Sequence, residues 1–486
     1  MVFSTTVFLF LFLPVFLAVY YALPFRYRSA WILTASLAFY GWWRLDFLLL
    51  MVATTAWSHL LCRSIEQNLP LRRARAKRAL TAGILLNIGT LAYFKYFNFG
   101  IDSLSSLLVM LGGREITAWQ VILPIGISFY VFQATSYLID VYRGDAEPAK
   151  SYLDVAAYIT LFPQLVAGPI VRYGHIAPQL AAREHSIPRF SEGAWRFMIG
   201  FAKKVLIADS VASLANAGFG VAAPHAGDAW LGLTAYAVQI FFDFSGYSDM
   251  AIGLGLMIGF RFPENFDRPY TSRSITEFWR RWHMSLSRWL RDYLYIPLGG
   301  NRRGSRRTYA NLLTVMVIGG LWHGAAWTFV LWGAWHGLWL AVERLVTRRQ
   351  EGRAGRAAGP VWNAANRALA AAAGNLYAMT LVLAGWILFR SPDLATAGDL
   401  AAGLVGVHGL GLSNAMAWQV DGLAVAALLL GVVLIYAGPA LERSVRRPDT
   451  PVLALRTRDA AVSLLFIAGV VKLVAESYSP FLYFQF

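Results

Sequence analysis

VFLFLFLPVFLAVYYAL, residues 7–23, carries no charged side chain, and its only hydroxyls are on two tyrosines. A helix needs roughly 20 apolar residues to cross the hydrocarbon core of a bilayer, and this run is of that order. No basic residue precedes it and no small-residue cleavage pattern follows, so it reads as an anchor and not as a removed signal peptide. Similar runs recur until AAVSLLFIAGVVKLV (460–474) closes the series. They place spans near 5–23, 29–44, 46–62, 79–97, 119–142, 152–170, 194–215, 228–260 (two), 309–345 (two), 366–390, 418–439 and 459–478. The 486 residues are 57% hydrophobic and 14% charged, against about 25% charged in soluble domains. The expected fold is therefore an all-α, multi-pass integral membrane protein. No internal repeat and no long hydrophilic linker divides it, so residues 1–486 read as one transmembrane domain. Inverted-repeat transporters would show matching broken spans in two halves, and no such pairing is visible.

The net charge is +16, and only six of the 43 basic residues are lysines. The arginines gather in loops between apolar runs, as expected of cytoplasmic loops facing anionic lipid. No nucleic-acid-binding motif accompanies them. PFRYR (24–28) and RRARAKR (72–78) would both face the cytoplasm if the N-terminus lies outside, since the intervening spans have the right parity. RLVTRRQEGRAGR (344–356) and ERSVRRPDTPVLALRTR (442–458) would share a side. Re-entrant segments in the middle of the chain would disturb this count. The single cysteine, Cys62, excludes an internal disulfide and a paired-thiol metal site.

Residues 261–307 depart from the apolar pattern, with eleven arginines against four acids. Ile275, Phe278, Trp279, Trp282, Leu286, Trp289, Leu290 and Tyr293 fall on one face of a helix, whereas Arg280, Arg281, Arg288 and Arg291 lie off it. Ser274 or Thr276 would cap the start, Glu277 would sit in the favoured first turn, and PLGG (297–300) would stop the helix. A helix lying among headgroups explains much of this composition. The four arginines could also hold phosphate groups, because a guanidinium binds phosphate through a paired fork. His283 sits at the edge of the apolar face, where it either covers the stripe or points into the protein.

GGLWHGAAWTF (319–329) raises the same question more sharply for His323. Helical side chains lean over residues i−3 and i−4, here Gly320 and Gly319. The glycines serve either close helix packing or room for a substrate beside the ring, and the residues alone leave both readings open. A second WHG places His336 thirteen residues on, roughly 20 Å along a straight helix, with Trp332 half filling its surroundings. His336 therefore reads as structural. Asp243 and Asp249 in FFDFSGYSDMAIG (241–253) could orient a histidine or pair with an arginine. At that spacing they point in different directions and do not suggest a shared-proton pair. Nucleophile-elbow, phosphate-loop, zinc-helix and dinucleotide signatures are absent.

Taken with PQLVAGPIVRY (163–173), NFDRPYTSRSITEFWRRWHMSLSRWLRDYLYIPLGGNRRG (265–304) and SPFLYFQF (479–486), these stretches resemble the membrane-bound O-acyltransferase family. Within it they are most similar to the bacterial branch of alginate O-acetylation and teichoic acid D-alanylation proteins. The likeness runs end to end and is sharpest over 163–337. It implies a ring of helices, some re-entrant or amphipathic, around a central tunnel from a cytoplasmic donor side to an extracytoplasmic acceptor side. The family's essential histidine falls on His323 and its supporting histidine on His283. The resemblance further implies a bacterial inner-membrane enzyme with no bound cofactor or metal, using acetyl-CoA or another acyl thioester as co-substrate. Its expected partners are periplasmic acetyl-transfer proteins of a polysaccharide modification system, and membrane lipids. D-alanyl transfer and acetylation of peptidoglycan or cellulose are the alternative activities; a channel or flippase is the non-enzyme alternative. Histidine, with a reference pKa of ~6.5, suits the role of base toward a hydroxyl acceptor. Trp322 and Trp327 could supply N–H donors to a developing oxyanion.

Overall fold

A computed structural model describes residues 1–354, 364–445 and 452–476. The motif at 479–486 and parts of the basic stretches 344–356 and 442–458 lie outside the described residues. Every regular element described is helical. In chain order the α-helices begin with α1 (Leu13–Ala22), α2 (Phe25–Gly41), α3 (Leu45–Asn68), α4 (Arg73–Met110) and α5 (Ile127–Arg143). Next come α6 (Tyr152–Thr160), α7 (Phe162–Leu165), α8 (Tyr173–Ala181), α9 (Ile187–Ala202), α10 (Asp209–Gly220) and α11 (Ala226–Met257). The central segment supplies α12 (Ile275–Arg281), α13 (Met284–Leu290), α14 (Gly304–His323), α15 (Trp327–Ala354) and α16 (Ala364–Arg390). The rest are α17 (Leu394–Leu404), α18 (Asn414–Ala417), α19 (Gly422–Val445) and α20 (Val452–Glu476). Short π-helical turns precede α1 (Phe8–Phe12), precede α10 (Lys203–Ala208) and follow α13 (Arg291–Tyr295). Two compact units emerge: one from Met1–Met198 with Tyr247–Pro263, the other from Ile199–Gly246 with the described part of Glu264–Lys472.

In the first unit the opening apolar run is two-faced. Phe8, Phe16 and Tyr20 are buried, and Phe16 meets Phe162 edge-on at 4.9 Å between ring centroids. Phe10, Leu11 and Val15 point out of the protein. Helix α3 is more telling, because its polar side chains lie within and its outer face is apolar. Thr54, Thr55 and Ser58 are buried beside Phe47, Met51, Cys62 and Ile65, whereas Leu45, Leu49, Val52 and Leu60 are exposed on the other side. Soluble monomers rarely present such contiguous apolar stripes to water, so this face suits lipid.

Two described helices, Leu45–Asn68 and Ala368–Arg390, are by length and composition apolar enough to cross a membrane. That is fewer than the runs of apolar residues led us to expect, and the difference has a physical cause. The run at 119–142 becomes helical only from Ile127, and α5 carries buried Ser128, Gln133, Thr135, Ser136 and Asp140 among its apolar residues. The run at 152–170 breaks after Thr160, just before Phe162 and Pro163. Segments surrounded by protein can hold polar side chains and irregular backbone that lipid-facing helices cannot, so hydropathy and helix length part company there.

Candidate functional site

The arginine–tryptophan block does not form the single amphipathic helix expected of it. It starts as foreseen: the Ser274 side chain accepts from the Glu277 amide at 3.0 Å. Glu343, from α15, adds a cap the sequence did not suggest, accepting the amides of Ile275 and Thr276 at 2.6 and 2.8 Å. The helix then stops at Trp282, whose backbone is extended, and His283 takes the left-handed conformation, φ 42° and ψ 54°. Few non-glycine residues adopt that region, and such residues concentrate at functional sites. The segment before the block makes the break tenable. Asp267 donates its amide to the Arg281 carbonyl at 2.9 Å, the Asn265 carbonyl accepts the Met284 amide at 2.9 Å, and Asn265 Oδ1 accepts the Ser285 amide at 3.2 Å. The chain on both sides of the break is thus hydrogen-bonded. The kink turns His283 from the edge of a surface stripe into the interior, where it is wholly buried.

His323 is the last residue of α14, and the chain reverses through Gly324–Ala326 into α15. It is 4% exposed, and its ring centroid lies 6.4 Å from that of His283. Trp322 stands near both imidazoles, at 5.7 Å from His283 and 4.9 Å from His323. Phe389 and Trp332 meet His323 edge-on at 5.0 and 5.1 Å, and Phe244 meets His283 edge-on at 4.7 Å. Three separate pieces of chain, α11, the α12–α13 break and the α14–α15 hairpin, therefore converge on two imidazoles.

The vacancy expected beside His323 is not what the glycines provide. A Cβ on Gly320 would strike the Phe329 carbonyl oxygen, and one on Gly324 would strike the Phe329 ring. The returning helix α15 fills the space, so close packing is the use the fold makes of these glycines. The reversal also carries His336 back toward the site: Trp332 sits 5.1 Å from His323 and 5.0 Å from His336. His336 is buried beside Trp279, 5.3 Å away, and a Cβ on Gly385 would press against it, in line with a packing role.

Of the four arginines considered for phosphate, Arg281 pairs with Glu277 at 2.6 Å and Arg291 with Asp292 at 2.6 Å. Arg280 and Arg288 are exposed. Trp327 is also exposed, whereas Trp322 is buried near both imidazoles. Asp249 meets Arg196 at 2.9 Å. Asp243 meets Lys204 at 2.9 Å, and Lys204 also pairs with Asp209. Sequence reasoning missed this last cluster; its signal was a pair of the chain's few lysines inside an apolar run, FAKKVLIAD (201–209).

Residues 76–383 match the model of a family described as MBOAT, membrane-bound O-acyltransferase family. Over the full length of both chains, the sequence is 47% identical to a probable alginate O-acetylase of Azotobacter vinelandii. It is 32% identical to a peptidoglycan O-acetyltransferase of Helicobacter pylori, across all of this chain and 98% of the other. A teichoic acid D-alanyltransferase of Streptococcus thermophilus is 29% identical over 47% of this chain and 58% of its own.

Proposed function

The chain belongs to the membrane-bound O-acyltransferase family and is an O-acyltransferase, and from that premise we propose that it passes acetyl groups outward across the bacterial inner membrane. The donor is an acyl thioester such as acetyl-CoA on the cytoplasmic side. The acceptor is an exopolysaccharide hydroxyl of the alginate type, reached directly or through periplasmic acetyl-transfer proteins. The full-length likeness to an alginate O-acetylase favours that acceptor over peptidoglycan and teichoic acid.

His323 is the general base in this reading. As the hydroxyl oxygen attacks the thioester carbonyl carbon, a ring nitrogen takes the hydroxyl proton. The tetrahedral species then collapses, the carbon–sulfur bond breaks and the thiolate leaves, to be protonated on the donor side. General-base assistance contributes typically 10²–10⁴-fold. The surrounding aromatic rings exclude water, which strengthens polar interactions with the developing charge. His283 is the supporting imidazole, and the N–H of Trp322, buried near both rings, is the donor to the oxyanion in this reading. Arg280 and Arg288 remain available to the phosphates of the donor.

The observation that carries the reading is the convergence of two buried imidazoles within 6.4 Å from separate elements, one of them on a left-handed backbone. Purified protein, radiolabelled acetyl-CoA and an alginate oligosaccharide test it. His323→Ala should lower kcat by about 10²–10⁴-fold while membrane insertion and melting temperature hold. His283→Ala should lower it less. A His323→Ala variant that kept most of its transfer activity would remove the base assignment, and acetyl transfer to peptidoglycan alone would remove the alginate acceptor.

A further inference from the structure

In the first unit, far along the sequence from both imidazoles, Arg28 at the start of α2 and Arg183 in the loop between α8 and α9 crowd around His185. Arg28 Nη1 lies 3.4 Å from His185 Nδ1 and 3.3 Å from Nε2. Tyr20 Oη donates to the Ile258 carbonyl at 2.8 Å and lies 2.9 Å from His185 Nε2. With its proton committed to Ile258, the phenol oxygen accepts from Nε2–H, which leaves Nδ1 as the acceptor facing Arg28. Gly259, at φ +86°, lets its turn press on this loop; a Cβ there would stand 3.1 Å from Arg183 Cβ and 3.2 Å from His185 Nε2.

The charge count in this cluster is one-sided. Arg183 is 7% exposed, its Nε has no hydrogen-bond partner, and its guanidinium meets neutral oxygens, Ser29 Oγ at 3.4 and 3.3 Å and the Tyr20 hydroxyl. Among the described residues no carboxylate makes an ion pair with Arg28 or Arg183. Glu184, next in the chain, turns outward and pairs with Arg189. The His185 imidazole is held below its usual range by burial first, then by the charges of Arg28 and Arg183. Aromatic faces partly explain the geometry, since Arg28 lies 5.0 Å over Tyr20 and Arg183 lies 5.0 Å over both Phe25 and Phe260. They do not explain why a buried guanidinium and a half-buried one stand together with no acid, because like charges repel and a buried charge calls for a partner.

We propose that Arg28, Arg183 and His185 form a binding site for a phosphate group, carried on an anionic phospholipid headgroup or on a coenzyme-type donor. Paired guanidinium forks match the tetrahedral oxygens of phosphate. His185 completes the site, because an arriving anion favours the doubly protonated imidazole, which turns Nδ1 from an acceptor into a donor. This site does not depend on the general-base assignment, and binding alone tests it.

Purified protein in neutral detergent would be titrated by calorimetry with two probes, coenzyme A and a short-chain phosphatidylglycerol. Arg28→Gln, at the rim of the cluster, is the first variant, and Arg183→Lys, which keeps the charge but loses the fork, is the second. The site is supported if Arg28→Gln weakens one probe by about 10-fold or more, and the probe affected names the source of the phosphate. Arg183→Lys should weaken the same probe; a melting curve shows whether that variant is folded, and Arg28→Gln decides the matter by itself if it is not. Unchanged affinity of both probes for Arg28→Gln, or no binding of either to the unaltered protein, overturns the proposal.

Discussion

At Gly324 a single hydrogen atom decides how the α14–α15 hairpin closes. The Phe329 ring lies where a Cβ would be, and that ring meets Phe389 edge-on at 5.1 Å, which in turn meets His323 at 5.0 Å. Gly324→Ala should therefore cost about 1–3 kcal/mol, the usual range for an overfilled core. It should also lower kcat, because the displaced ring relays to the imidazole; a melting curve and a transfer assay on the same preparation check both. His185 supports a second expectation. With no anion bound, its folded-state pKa is depressed by burial and by Arg28 and Arg183, so below its unfolded value of about 6.5 the unfolded chain binds more protons than the folded one. The stability His185 permits is whole above that pH and is lost as pH falls toward its folded pKa. The unaltered protein should lose melting temperature on acidification from pH 7 to 5 more steeply than His185→Gln; equal slopes would contradict this.

Among the elements, the α12–α13 break is where periodicity failed. Offsets of three and four along 275–293 are genuine, and the apolar residues at Ile275, Phe278, Trp282, Leu286 and Leu290 are all buried. What periodicity could not show is that Asn265, ten residues upstream of the block's first apolar residue, supplies acceptors that compensate a break at His283. Asn265→Ala removes the side-chain acceptor of the Ser285 amide and Oγ. It should destabilise the protein by about 1–3 kcal/mol, the cost of stranding buried donors, with kcat falling because the turn after His283 loses its anchor at Ser285. In the π-helical turn, Lys204 is 1% exposed at the side chain and lies between Asp209 and Asp243. Lys204→Met strands two carboxylates and should cost about 3–5 kcal/mol. The double variant Lys204→Met/Asp243→Leu should recover part of that loss, as read by thermal unfolding in detergent; a double variant worse than the single would refute the pairing.

For the molecule as a whole, the surroundings select which helices can be apolar all round. Helix α3 turns Leu49 and Leu60 outward and hides Thr54, Thr55 and Ser58, the inverse of a water-soluble helix and the arrangement expected against lipid. Leu60→Arg should reduce the membrane-inserted fraction by an amount corresponding to at most ~2.5–3.5 kcal/mol, the cost of arginine at a helix centre. A glycosylation-site insertion assay reads it, and full insertion would mean that this face packs on protein. Apolar runs along the chain do not all become long, lipid-facing helices, since α5 and α6 are buried in the protein and are shortened or made polar there.

The helical membrane class and the family were both readable from residue order, because each rests on local chemistry: apolar runs and a dense arginine–tryptophan block. Ser274 as a cap was readable for the same reason, its hydrogen bond spanning only three residues. The burial of His283, the filling of the space beside Gly320 and Gly324, the cap from Glu343 and the Lys204 cluster were decided by tertiary structure. Each depends on a partner brought in by a break, a reversal or a second helix, and the position of that partner is set by packing across the fold and not by any periodicity along the chain.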